Sequence, residues 1–600
     1  MVKSGTLLKA NYDLAMYKVT LNNTILTYKK MFKYLLILLL PLNAFSQQSY
    51  IDYQSPYHPI INTRGMVASQ NIESSNIGLE ILNKGGNAID AAVAVGFSLN
   101  ITLPRAGALG GGGFMLVYIK EREELFAIDY RSQSSLNADL KSVFKVDLPE
   151  DYERANFETV KYGYKASNIP GTVSGLLKVH KEFGKLPLSE ILKPVINQAR
   201  EGILVSYDLE KSIGSTPQLL NDLESKSIYF MNDEPLKEGS IMKRPDLAKT
   251  MQLISDNGLD GFYKGPIAQK FAEAMSLNNG FIDANDMKNY EARFTDPIGI
   301  NYRDNKVFTH GPPSGGGLVL LTALSLLEVY DLKKYKSNST KTYHLLAEVL
   351  RRGHNNRSHQ IGDPSFYNVP MKKLLSKQRI KQLFNGMNLN KATSASKVKP
   401  LRVREEGKDT THYSIIDEDG NAVSNTFTLG YSFGSGVTIP GTGILMNNQM
   451  NNFAYRYGDQ SIKGRAASPG NQFKPGKRPM STMAPTMVFD KQAQLTLITG
   501  SPGGSFIPDA ILRVVTGVID FGLNIGEATM LPRLHKDWPY AELEYESTIS
   551  SDILNDLKKM GHKVEASKTM GSTQSIHIKN NINYGFSDLR RPNSGVAKQQ

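Results

Sequence analysis

The chain of 600 residues has no cysteine. That excludes a disulfide framework, a thiol nucleophile, thiolate-ligated zinc and a lipid anchor on an N-terminal cysteine. Long hydrophobic runs are also scarce. The only marked one, Leu35-Leu36-Ile37-Leu38-Leu39-Leu40, falls well short of the roughly 20 residues that a membrane-spanning helix needs. A strong excess of one charge is missing too. The formal net charge is +13, and setting aside the first 46 residues, with six lysines and one aspartate, leaves +8. No basic stripe interleaved with aromatics is present, so a nucleic-acid partner is not expected. A Gly-Lys-Ser/Thr phosphate loop is absent, and Gly110–Gly113 lacks dinucleotide spacing. With 40% hydrophobic residues, general disorder is excluded.

What is present begins with an export signal. Met31-Phe32-Lys33-Tyr34, the apolar run and Ala44-Phe45-Ser46 read as a signal peptide, with Met31 as the true start. Residues 1–46 are therefore set apart from the fold. A periplasmic or secreted location follows as an expectation, with no stable membrane anchor; a cysteine-free chain suits an oxidising compartment.

Along the remaining chain, Gly86-Asn87-Ala88-Ile89-Asp90 opens a run of small residues with helical period, the pattern of a closely packed core helix. Gly110–Gly113 leads into a buried strand through Tyr118, and a second strand ends at Arg131. Residues 165–360 read as mostly helical. The polar stretch 385–408 reads as an exposed connector. Strands are expected at 411–416 and 422–429, joined by a turn at Asp417-Glu418-Asp419-Gly420-Asn421. Further strands follow at 484–489 and 494–499, with helices at 507–521 and 551–560. Helices flanking antiparallel sheets make an α+β fold.

Several chemistries are weighed and set aside. His344 and Glu348, four apart on a helix with His354 and His359 beyond, could offer metal ligands. They are read instead as surface and helix-end residues, and no metal is expected. Arg351-Arg352 and Arg590-Arg591 are read as solvated helix ends or local ion pairs. Serine-hydrolase machinery is not expected. Three polar or glycine-rich clusters carry the signal: Leu445–Phe453, Lys477–Met483 and Gly500–Ser505. They are separated by apolar strands, as when a polar pocket is assembled at strand ends.

Together with Thr410-Thr411-His412-Tyr413-Ser414 and Met570–Ser575, these blocks resemble the γ-glutamyltranspeptidase family. Blocks at 86–118, 127–131 and 168–175 agree, and the match runs across residues 55–592. The resemblance implies an N-terminal nucleophile hydrolase with a four-layer αββα sandwich. It implies one precursor cut between Asp409 and Thr410 into a large subunit, 47–409, and a small one, 410–600. Thr410 would be the nucleophile, and its freed α-amine, with a pKa near 7.7–8.0, the base. Gly503 and Gly504 match the oxyanion hole, and Thr428 a threonine that supports the nucleophile. Arg131 matches the clamp on the substrate α-carboxylate, joined by Ser481 and Thr482. Gln449 matches a residue near the substrate amine, and 454–476 a lid loop. The implied partners are a small γ-glutamyl substrate and an acceptor, which is water, an amino acid or a peptide. No cofactor is implied.

Two positions depart from the family. Asn452 stands where an aspartate usually pairs with the substrate ammonium, and Gly430 where an asparagine stands. A charge-assisted hydrogen bond contributes about 1.5–3 kcal/mol. Losing such partners points to weakened amine selection, as in acylases that accept glutaryl side chains, unless a neighbour such as Asn451 compensates. An uncleaved, inactive binding relative is the third alternative.

Overall fold

The computed structural model describes residues 16, 55–107, 109–144, 157–358, 360–393, 409–455, 469–538 and 540–600. The chain divides into Met1–Pro56 and Tyr57–Gln600. The signal-peptide reading, connector residues 394–408 and the middle of the lid segment, 456–468, lie outside the described residues.

Within 57–600, the elements that build the layers begin with β1 (Ile60–Asn62), β2 (Met66–Ser69), α1 (Ala88–Thr102), β3 (Gly112–Ile119) and β4 (Glu124–Tyr130). They continue with β5 (Arg293–Thr295), β6 (Ile298–Tyr302), β7 (Asn305–Thr309), α2 (Gly316–Leu327) and α3 (Thr340–Ser358). The last group is β8 (Asp409–Ile416), β9 (Ala422–Gly430), β10 (Thr486–Phe489), β11 (Leu495–Thr499), α4 (Ile507–Ile519), β12 (Gln574–Lys579), β13 (Ile582–Ser587) and β14 (Gly595–Lys598).

Two seven-stranded sheets result. One runs β1-β13-β12-β11-β10-β7-β6 and the other β14-β2-β8-β9-β3-β4-β5. Every strand pair in them is antiparallel. The two-residue period of a strand sends alternate side chains to opposite faces. On β3, Leu116 and Tyr118 face the other sheet, where they share a core with Met487, Ile498 and Ile576. Met115 and Val117 face away, into a core with α1. On the far side of the second sheet, Val488 and Leu497 pack with α2, α3 and α4. Helix, sheet, sheet and helix therefore form the αββα sandwich.

Local chemistry sets the elements that matter most. α1 starts at a capping box: Asn87 accepts from the backbone N–H groups of Ile89 and Asp90, and the Asp90 carboxylate accepts from Asn87 N. Its small residues allow burial of all 15 positions. The β8–β9 turn closes as its sequence suggests, with Asn421 N donating to Asp417 Oδ1 at 2.8 Å and Gly420 at φ +86°. The pairing slips once. Asp409 faces Gly430 and Thr411 faces Phe427, so Thr428 and Leu429 stand opposite Thr410 alone. Such a bulge bends the strand and re-aims its side chains.

Residues 165–360 are less helical than expected, because β5, β6 and β7 lie within them; β5 and β6 form sheet edges and β7 lies next to β6. These strands are short, and β6 alternates half-buried with exposed positions. They therefore lack the apolar run that marks a buried strand.

Candidate active site

The bulge gathers three groups around the Asp409–Thr410 peptide. The Thr410 hydroxyl donates to Thr428 Oγ1 at 3.3 Å. The Thr428 hydroxyl donates to the Asp409 carbonyl oxygen at 2.6 Å. Gly430 N donates to Thr428 Oγ1 at 2.9 Å. Thr428 thus touches both the hydroxyl and the carbonyl that would react. Thr410 and Thr428 are each about 95% buried. Two residues on, His412 lies between the sheets with Nδ1 at 2.8 Å from Thr426 Oγ1 and Nε2 at 3.1 Å from Ser414 Oγ. Burial pushes its imidazole down to about 3, so the ring is neutral.

Gly500 packs on His412 so closely that a Cβ there would meet the ring at 2.3 Å. The loop that follows is therefore tied to β8. Gly503 and Gly504 both take positive φ, +128° and +58°. This conformation suits glycine, which has no Cβ to clash there. The loop is braced from the Met570–Ser575 block: Ser572 N donates to Ser501 Oγ at 3.0 Å, and Gly571 lies against Gly503.

Arg131 directly follows β4 and is fully buried. Its guanidinium donates to the carbonyls of Pro479 and Met480, at 3.2 and 3.3 Å. That sets it beside Ser481 and Thr482 in sequence, both nearly buried. Beneath it, Arg131 N donates to Asp129 Oδ1, and Asp129 pairs with Arg478 at 2.8 Å. Asp129 holds the buried Arg478 guanidinium well above its ordinary value, although burial alone would lower it. Asp129 and Arg478 had no assigned role in the sequence reading. The Lys477-Arg478-Pro479 block and the closeness of Asp129 to Arg131 were the available signals.

Gln449 is fully buried, and both ends of its carboxamide are engaged: Nε2 donates to Thr428 O at 2.7 Å, and Oε1 accepts from Ser132. Gly430 has φ +107°, and a Cβ there would meet Asn448 Oδ1 at 2.1 Å. Asn448 itself accepts from Tyr431 N and donates to Lys161 O. The space a residue-430 side chain would need is already filled. Asn452 is half-buried at the end of a single 3-10 turn, with its carbonyl accepting from Asn471. Asn451 is buried, and its carboxamide has no protein partner among the described residues. The described ends of the lid segment lie side by side, with Phe473 N donating to Ala454 O at 2.9 Å.

The letters Gly430-Tyr431-Ser432-Phe433-Gly434 do spell the pattern of a serine-hydrolase elbow. β9 runs from them into a turn through Phe433 and Gly434, both at positive φ, and no helix follows. The strand–turn–helix context of that motif is missing.

The surface reading of His344, Glu348 and His354 is corrected: all three are buried. Glu348 pairs with Arg352 at 2.7 Å and His344 with His562 at 2.8 Å. His359 lies outside the described residues. Arg351 and Arg352 are buried rather than solvated, but Arg352 forms a local ion pair as expected, with Glu348, and Arg590 does so with Glu546 and Asp588. His354, Asp509 and His535 are the described residues whose ligand atoms could surround a metal. Asp509 already bridges the two imidazoles, one oxygen to each.

Residues 74–598 match the family model described as gamma-glutamyltranspeptidase. The chain is 39% identical over 547 residues to the glutathione hydrolase proenzyme of Escherichia coli K12, covering 90% of this chain and 93% of that one. The crystal structure of a cephalosporin acylase from Bacillus halodurans superposes with a TM-score of 0.78 at 26% identity, covering 93% of this chain and 99% of that one. That of Helicobacter pylori gamma-glutamyltranspeptidase gives 0.52 at 33% identity, covering 55% of this chain and 93% of that one.

Proposed function

Because this chain belongs to the γ-glutamyltranspeptidase family, we propose that it is a self-processing γ-glutamyl amidohydrolase and transferase that works through an ester on Thr410. The observation that carries this reading is the Thr410–Thr428–Asp409 relay. In the precursor, Thr410 Oγ adds to the Asp409 carbonyl carbon, whose oxygen already accepts from the Thr428 hydroxyl. The C–N bond breaks, its nitrogen takes the proton, and water hydrolyses the resulting ester. The products are an Asp409 carboxylate and a Thr410 residue with a free α-amine. That amine, with a pKa of about 7.7–8.0, is poised to take the hydroxyl proton near neutral pH.

In the processed enzyme, Thr410 Oγ attacks the γ-amide carbonyl of glutathione or another γ-glutamyl compound. The N–H groups of Gly503 and Gly504 receive the developing oxyanion. Arg131, Ser481 and Thr482 hold the α-carboxylate, with Arg131 suited to bidentate pairing. The amine leaves, and water or an amino acid resolves the ester. The segments 47–409 and 410–600 would be the two subunits. Among the described residues no helix is long and apolar enough to cross a membrane, which is compatible with export to the periplasm or beyond.

Thr410→Ala should leave a single full-length band on denaturing electrophoresis and no γ-glutamyl hydrolysis. The unsubstituted protein should give two bands, the smaller beginning at Thr410. A mature preparation that stays intact yet cleaves amides at full rate would overturn the reading.

One observation favours a second, narrower reading. A Cβ at residue 430 would meet Asn448 Oδ1 at 2.1 Å, so in this arrangement Asn448 stands where the asparagine usual in the family at that position would place its side chain. Selection for an α-amino group is then relaxed toward glutaryl-type amides. The kcat/KM values for γ-glutamyl and glutaryl anilides should lie within about tenfold of each other. A preference for the γ-glutamyl substrate approaching hundredfold would show that one charge-assisted contact survives there.

A further inference from the structure

We infer that Arg105 is a positioning residue for self-cleavage: it grips the Asp409 side chain and so keeps the Asp409 carbonyl on the Thr428 hydroxyl. This rests on the proposed cut between Asp409 and Thr410.

Arg105 lies in the segment between α1 and β3, 304 residues before Asp409 in sequence. It is 5% exposed, and its Nη1 donates to Asp409 Oδ1 at 2.7 Å. Its other terminal nitrogen donates to Asp208 Oδ2 at 3.1 Å, which fixes the guanidinium plane. Arg591 also approaches the same Asp409 oxygen, at 3.9 Å. Two guanidinium groups therefore approach one oxygen of the Asp409 carboxylate, and Asp208 supplies a second negative charge to the cluster.

The backbone of Arg105 is fastened as well. Phe433 N donates to Arg105 O at 3.0 Å, in the turn that directly follows β9. β9 carries Thr428 and Gly430. One residue thus links the side chain of the residue before the cut to the segment that bears the hydroxyl on its carbonyl. This matters because the strand pairing is irregular here. The bulge leaves Thr410 without a regular cross-strand partner, so the ladder alone does not fix the orientation of the 409–410 peptide. Attack by Thr410 Oγ on its own preceding carbonyl requires that peptide to be held in a near-attack geometry. The Arg105–Asp409 contact supplies an anchor on the acyl side, and Thr428 supplies one on the carbonyl oxygen. Neither the Arg105 guanidinium nor the Asp409 side-chain carboxylate reacts; the bond broken is the Asp409–Thr410 peptide, and cleavage consumes only water.

The test follows conversion of the full-length chain after a short pulse of synthesis. The cut is verified by N-terminal sequencing of the smaller fragment. Loss of a charge-assisted anchor predicts that Arg105→Gln converts roughly 10- to 100-fold more slowly. Arg105→Lys should fall between, because it restores charge without the fork. Arg591→Gln should have a smaller effect, given its longer contact. Asp409→Asn should slow conversion about as much as Arg105→Gln, and the double variant should be no slower than the slower single. Thermal midpoints in a Thr410→Ala background separate this from misfolding, because a merely structural pair would lower the midpoint without slowing conversion of folded chains. Should Arg105→Gln fail to fold, Asp409→Asn carries the test alone. Conversion at the unsubstituted rate, or strictly additive slowing, would overturn the inference and leave the cut in place. Cleavage of the unsubstituted chain elsewhere would instead overturn the functional reading.

Discussion

The space between the two sheets has two kinds of filling, and they do different work. In one part Met66, Leu116, Tyr118, Met487, Ile498 and Ile576 meet as a dry core. In the part nearer the bulge the facing side chains are His412, Ser414, Ser424, Thr426, Thr499 and Ser575, all fully buried. They bond across the gap: Ser414 Oγ donates to Gln574 O at 2.9 Å, and Ser424 Oγ donates to Thr499 O at 3.1 Å. Apolar contact presses the sheets together without fixing their relative slide. Hydrogen bonds are directional, and they register β8 against the loop that carries Gly503 and Gly504. The apolar part thus supplies adhesion, and the polar part supplies aim.

That division can be broken from either side. The largest stability loss is expected at the apolar part, where Leu116→Ala should cost about 2–5 kcal/mol while the folded fraction is still cut. Chemical denaturation and electrophoresis check both halves. Next comes Gly500→Ala, which drives a Cβ into the His412 ring. It should cost about 1–3 kcal/mol, and it should also depress kcat/KM in the folded enzyme, because the glycine loop moves with it. Equal activity per folded molecule would show that aim is set elsewhere. The smallest and most graded effect is that of pH. His412 is held neutral down to about 3 in the folded chain and takes a proton near 6.5 when unfolded. The unfolded state binds more protons in that window, so stability falls as pH drops from about 6.5, by about 1.4 kcal/mol per pH unit for this group. Urea titrations of the Thr410→Ala precursor at pH 6.5, 5.5 and 4.5 measure the slope. A flat profile would contradict the neutral, buried ring.

The β8–β9 hairpin was legible because its turn is local: Asp417, Gly420 and Asn421 make their own contacts. α1 was legible from its small residues, and the layered architecture from the alternation of strands and helices together with the family resemblance. β5–β7 were not, because short strands at or next to a sheet edge, with half-exposed polar faces, resemble loops. α3 misled for a different reason. Its His, Glu and Arg side chains look solvated, yet His344 and His354 are buried against His562 and Asp509, far along the chain, and Glu348 and Arg352 are buried as a pair. The site was legible where motifs are contiguous, as in Gly500–Ser505 and Lys477–Met483. It was illegible where the site is built from pairs distant in sequence: Arg105 with Asp409, Asp129 with Arg478, and Asn448 beside Gly430.

The strand order bears on what a break after Asp409 could release. β2 comes from the part before it and lies between β14 and β8, both from the part after it. β13 is likewise flanked by β1 from the earlier part, and β10 by β7. The two pieces are woven into both sheets like warp and weft. Severing the thread therefore loosens an end and leaves the cloth whole, and the halves come apart only by unravelling the entire fabric.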